Sequence, residues 1–173
     1  MTANHNASIR LLALLPLLAA SLLSGCSYAV IGADQPGPTA EDSPAFLDRV
    51  ADRSTVSEND ALYGLLTLLD GSDTSANFGR RWQTAADRKL VNSKCWDADA
   101  DRPLTRGKLA YMMYQACNMT GGLTCTIFGP SQRYCLRELQ YRHMLPDGLP
   151  STPVTGSEYV AALHTIEKEL ASH

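Results

Sequence analysis

The hydrophobic pattern of this chain has two regimes. Residues 11–23, LLALLPLLAASLL, are apolar or small without a break; from about Ala45 onward, apolar positions recur at the three-then-four spacing of one helix face. Between them residues 27–44, SYAVIGADQPGPTAEDSP, hold no period and read as a flexible tether. The periodic part predicts a short helix over FLDRVADR. A second follows in SENDALYGLLTLLDG, capped by Ser57 with Asp60 three residues on, stopped by Gly71, with Leu62, Leu65, Leu66 and Leu69 on one stripe. NFGRRWQTAADRKLV places Phe78, Trp82 and Ala85 or Ala86 together. Thr105 caps TRGKLAYMMYQACNM, whose Leu109, Met112, Met113 and Ala116 face one way before Gly121-Gly122. A further helix starts at Pro130 or Ser131, runs through Leu136, Leu139 and Met144 and stops at Pro146; its Tyr134 and Tyr141 are expected on the core side. The last starts at Thr155 and buries Tyr159, Leu163, Ile166 and Leu170. Only LTCTIF, 123–128, alternates like a strand. The expected fold is all-α, with one helical domain over 45–173.

Three helix starts look alike: STVSENDALYGLL, RPLTRGKLAYMMY and TPVTGSEYVAALH. Their caps, Ser57, Thr105 and Thr155, are 48 and 50 residues apart. Position +5 is Leu62, Ala110 and Val160, and position +8 is Leu65, Met113 and Leu163. A period near 50 with one core register suggests three helix-pair repeats sharing a core. The alternative is that any capped amphipathic helix would align this well.

The apolar run is too short to span a bilayer, which takes roughly 20 residues. With Arg10 ahead of it and Pro16 inside it, it reads as a secretory signal. Its end, Leu23-Ser24-Gly25-Cys26, resembles the lipobox of bacterial lipoproteins: an aliphatic residue, two small ones, then cysteine. That resemblance implies a signal peptide over 1–25, cleavage before Cys26 and diacylglycerol on its thiol, so that acyl chains tether the protein to a membrane. Ser27 follows, where Asp would favour inner-membrane retention. The implied place is the cell envelope, on the outer membrane facing the periplasm or at the cell surface. The alternative is an ordinary secretory signal with a chance cysteine.

The chain has 173 residues, 15 Lys+Arg and 18 Asp+Glu. Removal of the signal takes away Arg10, leaving 14 basic residues against 18 acidic ones, about −4. An acidic chain without a basic run gives no electrostatic reason to expect nucleic acid. Besides Cys26, four cysteines remain: Cys95, Cys117, Cys125 and Cys135. An exported protein meets oxidising conditions, so two disulfides are expected, with Cys117–Cys125 and Cys95–Cys135 favoured among three pairings. Free buried thiols are another reading. Zinc is not favoured, because the spacings lack CxxC or HxxxH.

DADADRPLTRGKLAYMMYQA, 97–116, resembles the S-layer homology repeat, which has an acidic loop, a proline, then aliphatic-Thr-Arg-small-Glu opening an amphipathic helix. Pro103, Leu104, Thr105, Arg106 and Gly107 match. Lys108 stands in place of the acid; Ser57-Glu58-Asn59-Asp60 lacks the Arg, and Thr155-Gly156-Ser157-Glu158 keeps Thr and Glu without it. The resemblance implies a three-repeat helical domain that binds a cell-wall or surface glycan in grooves between repeats, with Arg106 as the basic contact and Tyr111 or Tyr114 nearby.

Other candidate sites follow from the residues themselves. Asp97, Asp99 and Asp101 have the spacing of the first ligands of an EF-hand, but Arg102 and Lys108 stand where Gly and Glu are needed, so a solvated acidic loop is the better reading. Arg137, Tyr141 and Arg142 crowd one helix with Arg133 and His143 and are candidates for gripping an anion or a sugar. GxSxG, HExxH, P-loop and GxGxxG motifs are absent, so no cofactor is implied and catalysis has little support. The function expected is a non-enzymatic binding or scaffold role at the envelope, with a glycan as ligand or, alternatively, a protein partner docked by an adaptor; an envelope hydrolase is less favoured.

Overall fold

Three hydroxyl side chains begin helices as the pattern predicts. Ser57 Oγ, Thr105 Oγ1 and Thr155 Oγ1 accept hydrogen bonds from the backbone N–H of Asp60, Lys108 and Glu158 at 3.1, 3.4 and 3.3 Å. In the computed structural model, which describes residues 30–36, 43–120 and 122–172, the elements are α1 (Ser43–Ala51), α2 (Glu58–Asp70), α3 (Phe78–Asp87), α4 (Arg106–Ala116), α5 (Leu123–Phe128), α6 (Gln132–Tyr141) and α7 (Gly156–Ala171). The described residues contain no strand, only isolated bridges. The fold is all-α.

The helix starts converge. Leu104 N–H donates to the Val56 carbonyl at 2.7 Å, Val154 N–H to Leu104 at 2.8 Å, and Val56 N–H to Val154 at 3.1 Å. Each of these residues immediately precedes a cap, and all three side chains are fully buried. The three bonds close a cycle, so α2, α4 and α7 start around one axis, their first turns side by side. Backbone groups that would otherwise be buried without partners are satisfied by this cycle. Around it α4 packs on α6, α1 on α7, and α2 on α3 and α7. Leu62, Leu65, Leu109, Met112, Met113, Leu136, Tyr159 and Ile166 fill the space between.

Four local expectations are corrected. LTCTIF is the helix α5, bracketed by Gly122 and Gly129 at φ 78° and 79°, and Thr126 Oγ1 donates to the Gly122 carbonyl at 3.1 Å. Alternation over six residues does not separate a strand from one and a half helical turns. Second, α6 ends at Tyr141, before Pro146: His143 turns left-handed at φ 57°, and Met144 N–H reaches back to Leu139 O at 2.8 Å. Third, Tyr141 is 82% exposed and Leu170 40% exposed, so neither is on the core side.

The fourth concerns the tether. Along 30–36 it is docked. Ile31 N–H donates to Ala98 O and accepts from Ala100 N–H, both at 3.1 Å, while Gly79 and Phe78 N–H donate to Ala33 O and Gln35 O at 2.8 and 2.9 Å. Gln35 Nε2 also donates to Asp101 Oδ1 at 2.9 Å. The expected signal peptide over 1–25 and the expected anchor Cys26 lie outside the described residues.

Candidate functional site

At the axis, the first turns of neighbouring helices are tied by charge. Arg106, first residue of α4, grips Glu158, third residue of α7: Nε donates to Oε1 at 2.7 Å and Nη2 to Oε2 at 3.2 Å. Its Nη1 donates to the Asp147 carbonyl at 2.7 Å. The equivalent pair between α2 and α4 is Glu58 with Lys108. That pair is buried, with side chains 2% and 10% exposed. Lys108 Nζ also lies 4.9 Å from the Trp96 ring centroid, and Glu58 Oε2 accepts from Trp96 Nε1 and Asp99 N–H at 3.3 Å. Burial raises the Glu58 carboxyl above its ordinary value, and Lys108 partly opposes the shift. In the third junction, between α7 and α2, Gly156 offers no side chain. Arg53, from the end of the α1 segment, pairs with Asp60 instead.

Arg106 is therefore a bidentate, half-buried junction residue, with its fork satisfied by Glu158 and a backbone carbonyl. Tyr111 and Tyr114 are only 6% and 7% exposed. Tyr111 faces Trp96 with ring centroids 6.4 Å apart, and burial beside Cys125 raises the Tyr114 hydroxyl. Neither tyrosine has surface to offer a ligand, which corrects the expectation that they line a groove with Arg106. Arg137, Tyr141 and Arg142 are exposed on α6 and its C-cap. Arg142 is tied to Glu138 at 2.7 Å and to the Thr120 carbonyl at 3.3 Å, which leaves Arg137 and Tyr141 as the open part of that face. The acidic loop is held internally: Arg102 contacts Asp97 at 2.9 Å and Asp99 at 3.7 Å.

The four cysteines are free thiols, with Cys95 exposed and Cys117, Cys125 and Cys135 buried. The thiol beside Cys135 is Cys125, within hydrogen-bonding reach, rather than Cys95. Cys117 lies near Glu169, and burial pushes its thiol up to about 11. Neither favoured pairing, Cys117–Cys125 or Cys95–Cys135, is formed in this structure.

One apolar concavity among the described residues was not foreseen. A groove of about 480 Å³ runs between α1, α2 and α7, floored by Phe46, Leu47, Leu68, Val160 and Leu163, with His164 and Glu167 at its mouth. Gly64 keeps it deep, since a Cβ there would meet Tyr159 Oη at 2.6 Å and Phe46 Cε1 at 2.9 Å. Thr67 Oγ1, in its lining, is buried with no hydrogen-bond partner.

Compared with known proteins, the chain matches no family model, no curated sequence and no solved structure. The likeness to S-layer repeats therefore rests on this chain's own residues, loosely over 48–170 and best over 102–116.

Proposed function

We propose that this chain is a lipid-anchored envelope protein whose helical domain docks a protein partner without catalysing a reaction. The observation carrying this reading is the groove: its walls are apolar, its size suits side chains of a bound segment, and it contains an unpartnered hydroxyl. The carbonyl end of α2, at Gly71, and Glu167, whose Oε2 lies 3.5 Å from His164 Nδ1, put acceptors at its mouth. The occupant these features favour is an apolar segment flanked by Lys or Arg, on another envelope protein. A glycan is less well served, since Arg106 is committed to Glu158 and both nominated tyrosines are buried. No helix among the described residues is long and apolar enough to cross a membrane, so in this reading attachment falls to Cys26. Only residues 27–29 separate that cysteine from the docked segment at 30–36, a reach of about 14 Å. The domain would ride close to the lipid surface instead of swinging on an 18-residue leash.

Two experiments test this. A palmitate analogue fed to expressing cells should label wild type and spare Cys26→Ala; equal labelling, or none, removes the anchor. A photocrosslinker at Leu68 in intact cells should capture one discrete protein through an apolar peptide flanked by Lys or Arg, with none from Arg137. Val160→Glu should abolish that capture while melting stays unchanged. Indifference to Val160→Glu overturns the groove as the docking site. Retention of wild type on purified sacculi, lost in Arg137→Ala of unchanged melting, would favour the glycan instead.

A further inference from the structure

α5 is a six-residue helix with one buried side chain, Cys125. Its other large apolar residues, Leu123, Ile127 and Phe128, are 78%, 62% and 70% exposed. Outside its own turn it is held by the tilted contact of Phe128 with Tyr134, ring centroids 6.0 Å apart, and by Cys125 itself. That thiol is 5% exposed and sits against the Cys135 thiol of α6, which is fully buried, with Tyr114 beside both. So small an element, with its apolar face outward, has almost nothing of its own to keep it in place. Among the described residues, its buried side chain meets a second element at a pair of neighbouring sulfurs, with Tyr114 beside them.

We propose that Cys125 and Cys135 are the protein's disulfide pair, stapling α5 to α6 and leaving Cys95 and Cys117 reduced. The oxidant is a disulfide of the kind that charges exported proteins, or oxidised glutathione in vitro. The Cys125 thiolate attacks one of its sulfurs, giving a mixed disulfide and one released thiol. The Cys135 sulfur then displaces the second thiol from Cys125. Two S–H bonds of the protein are lost, one S–S bond forms, and the oxidant leaves as two thiols. Burial pushes the Cys135 thiol up to about 12, so the second step is slow while α5 is seated and quickens when it lifts. The bridge closes a short loop around the turn at Gly129, whose open surroundings leave the backbone room to adjust. Once formed, it holds Leu123, Ile127 and Phe128 in a fixed outward orientation.

The test uses purified full chain, without reductant, incubated with oxidised glutathione, alkylated and digested with trypsin. Peptide 109–133, carrying both Cys117 and Cys125, should be joined to 134–137, carrying Cys135. The link should persist in Cys117→Ser and vanish in Cys125→Ser. Amide exchange over 123–128 should slow by at least about tenfold in the oxidised form relative to the reduced one. Both thiols alkylated after oxidation, a link that survives Cys125→Ser, or a bridge to Cys95 would each overturn the assignment. Because no step depends on the lipid or on a partner, failure here is distinguishable from failure of the docking reading.

Discussion

Lys108→Met is expected to remove about 3–5 kcal/mol of stability near pH 7.5, while Glu58→Leu combined with Lys108→Met loses much less. Methionine fills the lysine's path with an unbranched chain of similar length, so the loss is electrical more than steric. It strands the Glu58 carboxylate in a site 2% exposed, with Trp96 Nε1 and Asp99 N–H, both at 3.3 Å, as its remaining donors. For a small domain stable by about 5–15 kcal/mol this is a large share. The loss should also depend on pH, in a definite direction. Burial already raises the Glu58 carboxyl above 4.5 in the folded protein, and Lys108 is the main force opposing that. Without the lysine the folded carboxyl rises further, so the folded state holds its proton at pH values where the unfolded chain has released it. Protonation therefore favours folding, and that advantage is lost as pH rises through the raised value. Urea denaturation of wild type, single and double variants at pH 7.5 and 4.5 checks both points. The deficit of Lys108→Met should shrink at the lower pH and be largely absent in the double variant. A deficit equal at both pH values, and undiminished in the double, would refute the pair as described.

This pair also gives a structural role to Lys108, which stands where the S-layer-like pattern has an acid. Resemblance to the S-layer repeat led to an Arg at the first position of each helix and an acid at the third. Arg106 and Glu158 obey that rule across one junction. Glu58 and Lys108 invert it across the next, acid first and base third, and still meet. Read one helix at a time, Glu58 and Lys108 are two mismatches. Read across the junction they are a charge swap, and only the cycle of Val56, Leu104 and Val154 shows that those positions are neighbours.

Helices were legible because their signals are local. Ser57, Thr105, Ser131 and Thr155 cap the helices that the stripes predicted, and Gly71 ends α2 in the left-handed conformation at φ 78°. What escaped depends on contacts distant in sequence. The docking of 30–36 onto 98–101 and α3 rests mainly on backbone groups, which carry no side-chain signature, with Gln35 to Asp101 as an added side-chain bond. The groove exists because α1, next to the tether in sequence, lands against α7 at the far end of the chain. Tyr111 and Tyr114 look like ligand contacts beside an exposed Arg. Every residue of α4 from Gly107 to Tyr114 is buried, so both tyrosines are enclosed by protein and no face of the helix is left to a ligand.

Gly156→Ala is expected to be the most damaging single methyl in the chain. Gly156 opens α7 where Arg106 and Glu58 open α4 and α2, yet those positions carry long side chains and this one tolerates none. A Cβ on Gly156 would collide with the Val50 carbonyl oxygen, and would lie 2.8 Å from the Val50 carbonyl carbon and 2.9 Å from Ala51 O. The obstacle is backbone, so no rotamer change relieves it. Either α7 withdraws from α1 or the last turn of α1 unwinds. Withdrawal would stretch the 2.9 Å bond from Gly156 N–H to Arg53 O and the 3.1 Å bond from Val56 N–H to Val154 O that helps close the cycle. Overpacking of a core by a flexible side chain usually costs about 1–3 kcal/mol, and an immovable backbone places this case at or above the top of that range. Thermal melting followed by circular dichroism should fall by about 10 °C or more. Ser157→Ala, one residue on and exposed, should shift stability by no more than about 0.5 kcal/mol. Because α1 also forms one wall of the groove, Gly156→Ala should weaken crosslinking from Leu68 even in the fraction that remains folded. If the variant melts with wild type, α1 and α7 do not approach as closely as the third junction requires, and the arrangement of the three helix starts about one axis would have to be redrawn.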